Sequence, residues 1–391
     1  MCQRYGQEVN GGSEQYCRQI AEKLSNEYDV SIYTTCALDY ITWSNYYSPG
    51  TEQLNNVTIK RFLVGKTRNR FVSALTGRVL RIFPCHSLTA EWHWIDLQGP
   101  YCPDLLTALA LDANQYQVIF FMTYLYYTAA RGLMLDLPNA VLIPTVHDEP
   151  PIYFHCYDQV FSKAKGLIWN TPEERGFADK RFPWIKTIPS IMAGIGIEAI
   201  ETDYSLLPNI LKGKQYLLYA GRIAKSKGCD EMLAYFRKYK KHHPNDLKFV
   251  MIGKPVMKIP KDDDIINLGF VSDQEKTAIM ANATALVLHS RYESLSMVVL
   301  ESMQLGCPVL VTAKCSVLKG HCERSNAGLY FNDYEDYENN IDLLLYDSKT
   351  YAKMQQSGRQ YVAQNYRWER IINQYKQMII KIKNIKERET Q

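Results

Sequence analysis

In the stretch Arg291-Tyr-Glu-Ser-Leu-Ser-Met-Val-Val-Leu-Glu301, Glu293 and Glu301 stand with seven residues between them, flanked by apolar runs. The pattern puts Glu293 in a strand-to-helix turn and Glu301 within a helix that ends at Gly306. Ser294 and Ser296 are small enough for backbone N–H groups at that helix start to approach an anion, and the helix dipole adds to the attraction. Carboxylates beside an anion site fit a ligand that carries both phosphates and neutral hydroxyls. A carboxylate is a bidentate acceptor for vicinal ribose hydroxyls.

The segment Tyr219-Ala-Gly-Arg-Ile-Ala-Lys-Ser-Lys-Gly-Cys-Asp230 is again a strand running into a loop and a helix. Arg222 and Lys227 become fixed cations at the C-terminal edge of a sheet, where open α/β folds bind ligands. They suit a pyrophosphate, and if that group leaves during reaction they stabilise its growing charge. Two glutamates eight positions apart are commonplace by themselves. The cationic loop at the right order and distance gives the pair functional weight.

Two weaker signals lie in the first half. Gly11-Gly12-Ser13-Glu14 opens a helix whose Tyr16, Cys17, Ile20, Ala21 and Leu24 recur at helical spacing, with Ser13 as the expected N-cap. His147, in Thr145-Val-His-Asp-Glu149, follows an apolar strand, with Asp148 and Glu149 beside it. A histidine at a strand end is as often a hydrogen-bonded wall residue as a reacting one.

The elements that carry these residues follow a βαβ rhythm. Apolar runs lie at 30–34, 57–64, 118–122, 141–146, 166–169 and 187–191, then at 216–220, 249–253, 265–270, 285–289, 308–312 and 328–331. Parallel, doubly wound sheets are expected in two Rossmann-like domains, 1–200 and 201–370, facing each other across a cleft. The helical pattern over residues 361–386 implies a final helix, 371–391, crossing back towards the first domain. The strand that should precede Gly11-Gly12 is missing, since only Met1-Cys2-Gln3-Arg4 stands where about five apolar residues are needed. Either the recorded start lies inside a longer reading frame, or the first sheet has lost an interior strand. Gly194-Ile-Gly196 reads as a turn between domains rather than as part of a dinucleotide fingerprint.

At 391 residues, 46% hydrophobic and 22% charged, the chain belongs with ordinary globular proteins of two cores. No apolar stretch is long enough to span a bilayer, and the N-terminus lacks the apolar core of a signal peptide, so a cytoplasmic protein is expected. Ten cysteines show neither a C-x-x-C pair nor metal-ligand spacing, which argues against a zinc site and a disulfide framework. A net charge of +4 gives no case for nucleic acid. Its distribution is uneven, since residues 53–90 contain no acid while Lys60, Arg61, Lys66, Arg68, Arg70, Arg78 and Arg81 all fall there. Val72, Leu75, Val79 and Ile82 alternate with three of those arginines in a basic amphipathic pattern. That stripe either meets an anionic membrane or packs on the first sheet.

The paired glutamates, the Gly-Arg-x(4)-Lys-Gly loop and the Gly-Gly-x-Glu helix start together resemble family 4 (group 1) retaining glycosyltransferases of the GT-B fold, over nearly the whole chain. The resemblance implies a donor held by the second domain, an acceptor held mainly by the first, and no required metal or further cofactor. A UDP- or GDP-sugar is the implied donor, and a glycan or lipid-linked molecule in cell-envelope polysaccharide or glycolipid synthesis the implied acceptor. It assigns Arg222 and Lys227 to the diphosphate, Glu301 to the ribose, Glu293 to the donor sugar, Gly11 and Gly12 to the phosphate side, and His147 to the reacting sugar. Asp148 and Glu149 are acceptor-side candidates. Many relatives carry Gly and Phe or Pro where Ser294, Leu295 and Ser296 stand here. A GT-B phosphorylase or epimerase and a non-catalytic partner subunit are the alternatives.

Overall fold

Every apolar run of the second half becomes a strand of one parallel sheet, whose four interior strands are buried on both faces as continuous apolar runs allow. The computed structural model describes residues 1–83, 85–199 and 201–390, with Glu389 and Thr390 described as backbone only. Pro84, inside the acid-free segment, and Ile200, at the expected domain boundary, lie outside the described residues. The chain divides into two compact units, Met1–Ile195 with Ile371–Gln391, and Gly196–Arg370. Gly196 lies against the Trp368 indole, where no side chain would fit.

The second unit holds one six-stranded sheet of β8 (Tyr216–Ala220), β9 (Lys248–Ile252), β10 (Ile265–Gly269), β11 (Ala285–Leu288), β12 (Val309–Thr312) and β13 (Gly328–Phe331). The numbering runs on from seven strands of the first unit, β1 (Ser31–Thr35), β2 (Gly50–Leu54), β3 (Val57–Phe62), β4 (Ile119–Met122), β5 (Ala140–Ile143), β6 (Gly166–Trp169) and β7 (Ser190–Met192). The order β10-β9-β8-β11-β12-β13, all parallel, is the doubly wound order whose switch point falls between β8 and β11. Both sequence motifs leave the sheet there.

In the first unit the strands form a sheet β4-β5-β6-β7, all parallel, and a sheet β1-β3-β2. The strand that the sequence reading finds missing before Gly11-Gly12 is not among the described strands, but an extended segment takes its place. Met1–Gln3 run between β1 and β4: the Cys2 N–H donates to Tyr33 O at 3.2 Å, the Met122 N–H to Met1 O at 3.0 Å, and the Met1 ammonium to Phe120 O at 2.5 Å. Bonds from one residue to both neighbours of its partner are the parallel pattern. Beside Met1 a cavity of about 290 Å³, lined by Tyr33, Ile119 and Phe120 among others, lies between the same two strands.

Three local expectations change. The sheet is not wholly parallel, because β2 pairs antiparallel with β3 through Asn55 and Asn56, both at positive φ. Asparagine tolerates that conformation, and two such residues close a tight hairpin. Helix α1 (Gly12–Leu24) is capped by Gly11 without a side-chain bond; Ser13 instead bonds Glu14 Oε2 at 2.9 Å. Of the seven basic residues from Lys60 to Arg81, Lys60 pairs with Asp112 at 2.8 Å, Arg61 with Glu52 at 2.7 Å, and Arg68 donates to the carbonyls of Tyr40 and Ile41. Those three are spent inside the fold.

The final helix, Trp368–Thr390, is too apolar to stand free, and from Ile371 it packs on the first unit. Tyr375 bonds Tyr16 through their hydroxyls at 2.8 Å, and Gln374 donates to Met192 O at 2.6 Å. Nine of the ten cysteines are buried and all are free. No described helix is long and apolar enough to cross a membrane.

Candidate functional site

The loop after β8 is shaped by a glycine at its end. Gly228 has φ 71° and a Cβ there would come within 2.5 Å of His289 O, so only glycine lets the start of helix Cys229–His242 lie against the end of β11. This contact puts Lys227 over the loop that follows β11. Its ammonium bonds Glu293 Oε1 at 2.7 Å and lies 3.5 Å from Ser290 Oγ. Arg222 stands exposed in the same loop. The first cationic motif and the first glutamate of the pair, distant in sequence, are therefore bonded partners.

Ser296 caps helix Met297–Leu305 at φ 64° and ψ 75°, with no side-chain bond to the helix N-terminus, and Gly306 ends it at φ 76°. A non-glycine residue in the left-handed region is sparsely populated and clusters at ligand sites. It turns the chain sharply enough that Glu293 and Ser294 stay half-buried while Leu295 and Ser296 are buried. The N–H groups of the first turn carry the positive end of the dipole. His321, buried, holds Leu295 O at 2.7 Å and so fixes the turn from below.

Glu301, one face further along, is bonded by Lys276 at 3.2 Å, from helix Asp273–Ala281. Burial works against the charge of Lys276, and the carboxylates of Glu301 and Asp273 outweigh it, holding the ammonium above the usual lysine range. Lys276 and Ser290 were missed in the sequence, where neither carries a motif. Their only signal is position, after β10 and β11, on the C-terminal edge of the sheet.

In the first unit, Gly11 and Gly12 open α1 beside a buried ion pair. Arg4 meets Glu14 at 2.6 Å, and Gln3 donates to the same carboxylate at 2.9 Å. Glu14 thus anchors Gln3 and Arg4 to the glycine turn. His147 lies half-buried in the loop after β5, its Nε2 3.3 Å from Glu149 Oε1, and Tyr124 donates to that carboxylate at 2.8 Å. Burial works to raise the Glu149 pKa, but the bonds from His147 and Tyr124 hold it below the usual carboxylate range. Asp148 is exposed and accepts from the Tyr153 hydroxyl at 2.7 Å.

A further residue, unremarked in the sequence, holds this loop. Glu174, buried at the start of helix Pro172–Arg181, accepts from the Val146 N–H at 2.8 Å and the Asn170 N–H at 2.7 Å. Burial pushes its carboxyl up to about 8. Glu174→Ala leaves two buried N–H groups without acceptors, at about 1–3 kcal/mol each, so unfolding stability should fall by roughly 2–6 kcal/mol. Because the folded pKa is raised, the wild type should also lose stability as pH climbs from the ordinary carboxylate range through about 8, a slope the variant lacks. Urea midpoints at pH 6 and pH 9 measure both. A variant with the wild-type midpoint would mean that other contacts hold the loop.

Among the described residues no group of three or more His, Cys, Asp or Glu is placed to hold a metal ion. What converges in the second unit is cations, carboxylates and a helix start with no side-chain bond from its cap.

Residues 207–361 match the family described as glycosyl transferases group 1, a span that contains Arg222, Lys227, Lys276, Glu293 and Glu301. A Klebsiella pneumoniae protein described as an uncharacterized 41.2 kDa protein in the cps region is 26% identical over 202 residues. That match takes in 50% of this chain and 54% of the relative, so the chain spans about half the length of the curated relative. The sucrose-phosphate synthase of Thermosynechococcus elongatus superposes with a TM-score of 0.67 at 17% identity, over 97% of this chain and 98% of that one. An E. coli trehalose-6-phosphate protein bound with UDP-2-fluoro glucose gives 0.66 at 14%, over 98% of each chain. Anabaena HepE in complex with UDP and glucose gives 0.64 at 12%, over 97% of this chain and 99% of that one. The fold is the GT-B fold of those structures, and within the second unit residues 207–361 are similar to the group 1 glycosyl transferases.

Proposed function

We propose that this chain transfers a glycosyl group from a nucleotide diphosphate sugar, a UDP- or GDP-sugar, to an acceptor hydroxyl, with retention of configuration and without a metal ion. One observation carries the reading. At the switch point of the second unit Lys227 bonds Glu293 at 2.7 Å while Lys276 holds Glu301, so cations meant for phosphate stand beside acceptors meant for hydroxyls. The match of residues 207–361 to the group 1 family supports it.

Arg222 and Lys227 neutralise the diphosphate, and the N–H groups around Ser294, Leu295 and Ser296 add the helix dipole. Glu301 accepts from the ribose and Glu293 from the donor sugar. Gly11 and Gly12 let backbone approach the phosphate side, and His147, oriented by Glu149, serves the transferring sugar. Asp148 stands on the acceptor side. The bond from the anomeric carbon to the phosphate oxygen breaks as the acceptor oxygen bonds on the same face, and the acceptor proton passes to the leaving phosphate. No side-chain nucleophile is then required, and cations fixed at the leaving group act more on the transition state than on the ground state.

The acceptor is a cell-envelope polysaccharide or glycolipid precursor on the cytoplasmic side, a reading supported by the relative in the cps region. Incubation with a panel of UDP-, GDP- and ADP-sugars, with and without acceptor, tests the assignment. Conversion of the nucleotide sugar with no acceptor present would mark an epimerase, and absence of donor binding a non-catalytic subunit. Transfer should survive EDTA undiminished. Loss in chelator with rescue by Mg²⁺ or Mn²⁺ would reject diphosphate stabilisation by Arg222 and Lys227 alone.

A further inference from the structure

Helix α2 (Arg70–Ile82) turns outward what amphipathic helices usually bury. At about 100° per residue, Phe71, Val72, Leu75, Val79 and Ile82 share one sector, and Arg70, Arg78 and Arg81 fill the sector beside it. The residues that face the protein are Ser73, Gly77 and Leu80. Phe71 is 76% exposed, Ile82 57%, and Phe83, just past the helix, 63%. The cause is the neighbouring helix α3 (Leu88–Gln98). Its Trp94 donates to Ser73 O at 3.1 Å, and a Cβ at Gly77 would sit 2.7 Å from the same indole nitrogen. α2 therefore seats on α3 through its small residues, and the apolar stripe is left in solvent.

The charges point to what covers it. Residues 53–90 hold no Asp or Glu, and Arg70, Arg78 and Arg81 have no ion pair or hydrogen bond among the described residues. Next to Arg70 and Arg81 a cavity of about 260 Å³ is lined by Ser73 and Gly77 of α2 and Trp94 of α3. A second copy of the face would bring three arginines against three others. An anionic surface with an apolar interior complements both sectors at once, and contiguous exposed apolar patches of this kind mark interaction sites.

We propose that this face docks the N-terminal unit on an anionic lipid bilayer. The stripe Phe71, Leu75, Val79 and Ile82 enters the acyl boundary, and Arg70, Arg78 and Arg81 meet lipid phosphates. The proposal stands on α2 and not on the transferase reading, so the two can fail separately.

Sedimentation of the full chain with vesicles tests it. The wild type should pellet with vesicles of mixed phosphatidylcholine and phosphatidylglycerol and stay in the supernatant with phosphatidylcholine alone. Replacing Arg70, Arg78 and Arg81 together with Glu should lower the partition coefficient at least about a hundredfold, since each cation near the surface contributes about a factor of five. A second variant, Phe71→Ser with Leu75→Ser and Ile82→Ser, keeps the charge and should lose about as much. Unchanged circular dichroism and urea midpoints show that both variants are folded. Indifference of the wild type to lipid charge, or wild-type pelleting by the serine variant, would overturn the proposal. So would a wild-type dimer that the serine variant abolishes while vesicles bind neither protein.

Discussion

Lys227→Ala and Arg222→Ala should each weaken binding of a nucleoside diphosphate by roughly 2–4 kcal/mol, the range for removing a charged partner from a desolvated site. The size matters, because an exposed ion pair contributes only about 0–1 kcal/mol. For Lys227 a second effect has the same sign. Its ammonium bonds Glu293 at 2.7 Å, and without it that carboxylate faces an incoming phosphate uncompensated. Lys227→Ala should therefore be the worse of the two, and Lys227→Ala with Glu293→Gln should recover part of the loss. Calorimetry with UDP and GDP measures all three proteins. Wild-type affinity in both single variants would remove the diphosphate assignment.

Glu293→Gln should lower the rate of transfer roughly 10²–10³-fold, the range for losing one group aimed at the reacting centre. The same variant should bind bare nucleotide as well as the wild type or up to about tenfold better, since a neutral amide no longer claims Lys227 from the phosphates. Glu301→Ala should do the opposite, raising the dissociation constant of bare nucleotide about 10–100-fold as the ribose loses its acceptor. Lys276, bonded to Glu301 at 3.2 Å, would then be left half-buried without that partner, so some loss of stability should accompany the change. Single-turnover rates alongside nucleotide titrations separate the two carboxylates. Equal effects of both variants on bare nucleotide would defeat the division of roles.

Much of the architecture was legible because parallel strands buried on both faces must be nearly continuous apolar runs. Each run read from the sequence overlaps a strand. β2 escaped because Thr51, Glu52 and Gln53 are polar and exposed, and a hairpin edge strand needs no apolar face. Its one signal was the Asn55-Asn56 turn. Helix Met297–Leu305 and its stop at Gly306 were legible from a left-handed glycine after an apolar run. Ser13, an N-cap by residue type, is not one, because the neighbouring Glu14 carboxylate takes its hydroxyl. Glu174 was illegible as an anchor, since its partners are backbone N–H groups at Val146 and Asn170 that no side-chain pattern announces.

The sequence by itself determined which residues carry charge, which runs are apolar enough to lie inside a sheet, and where glycine or a small residue permits a sharp turn. Those are properties of one residue or of a short period, and they named Arg222, Lys227, Glu293 and Glu301. Pairing was decided by the tertiary structure. The strand order brings the loops after β8 and β11 together at the switch point, and Gly228 lets one helix start close against His289, so Lys227 meets Glu293 across 66 positions of chain. The same holds for α2, whose periodicity predicts an amphipathic helix but not which side faces the protein. Trp94 reaches over Ser73 and Gly77, the small side is buried, and the apolar stripe remains outside. Periodicity fixes the faces of a helix; only the shape of its neighbour selects the one that packs.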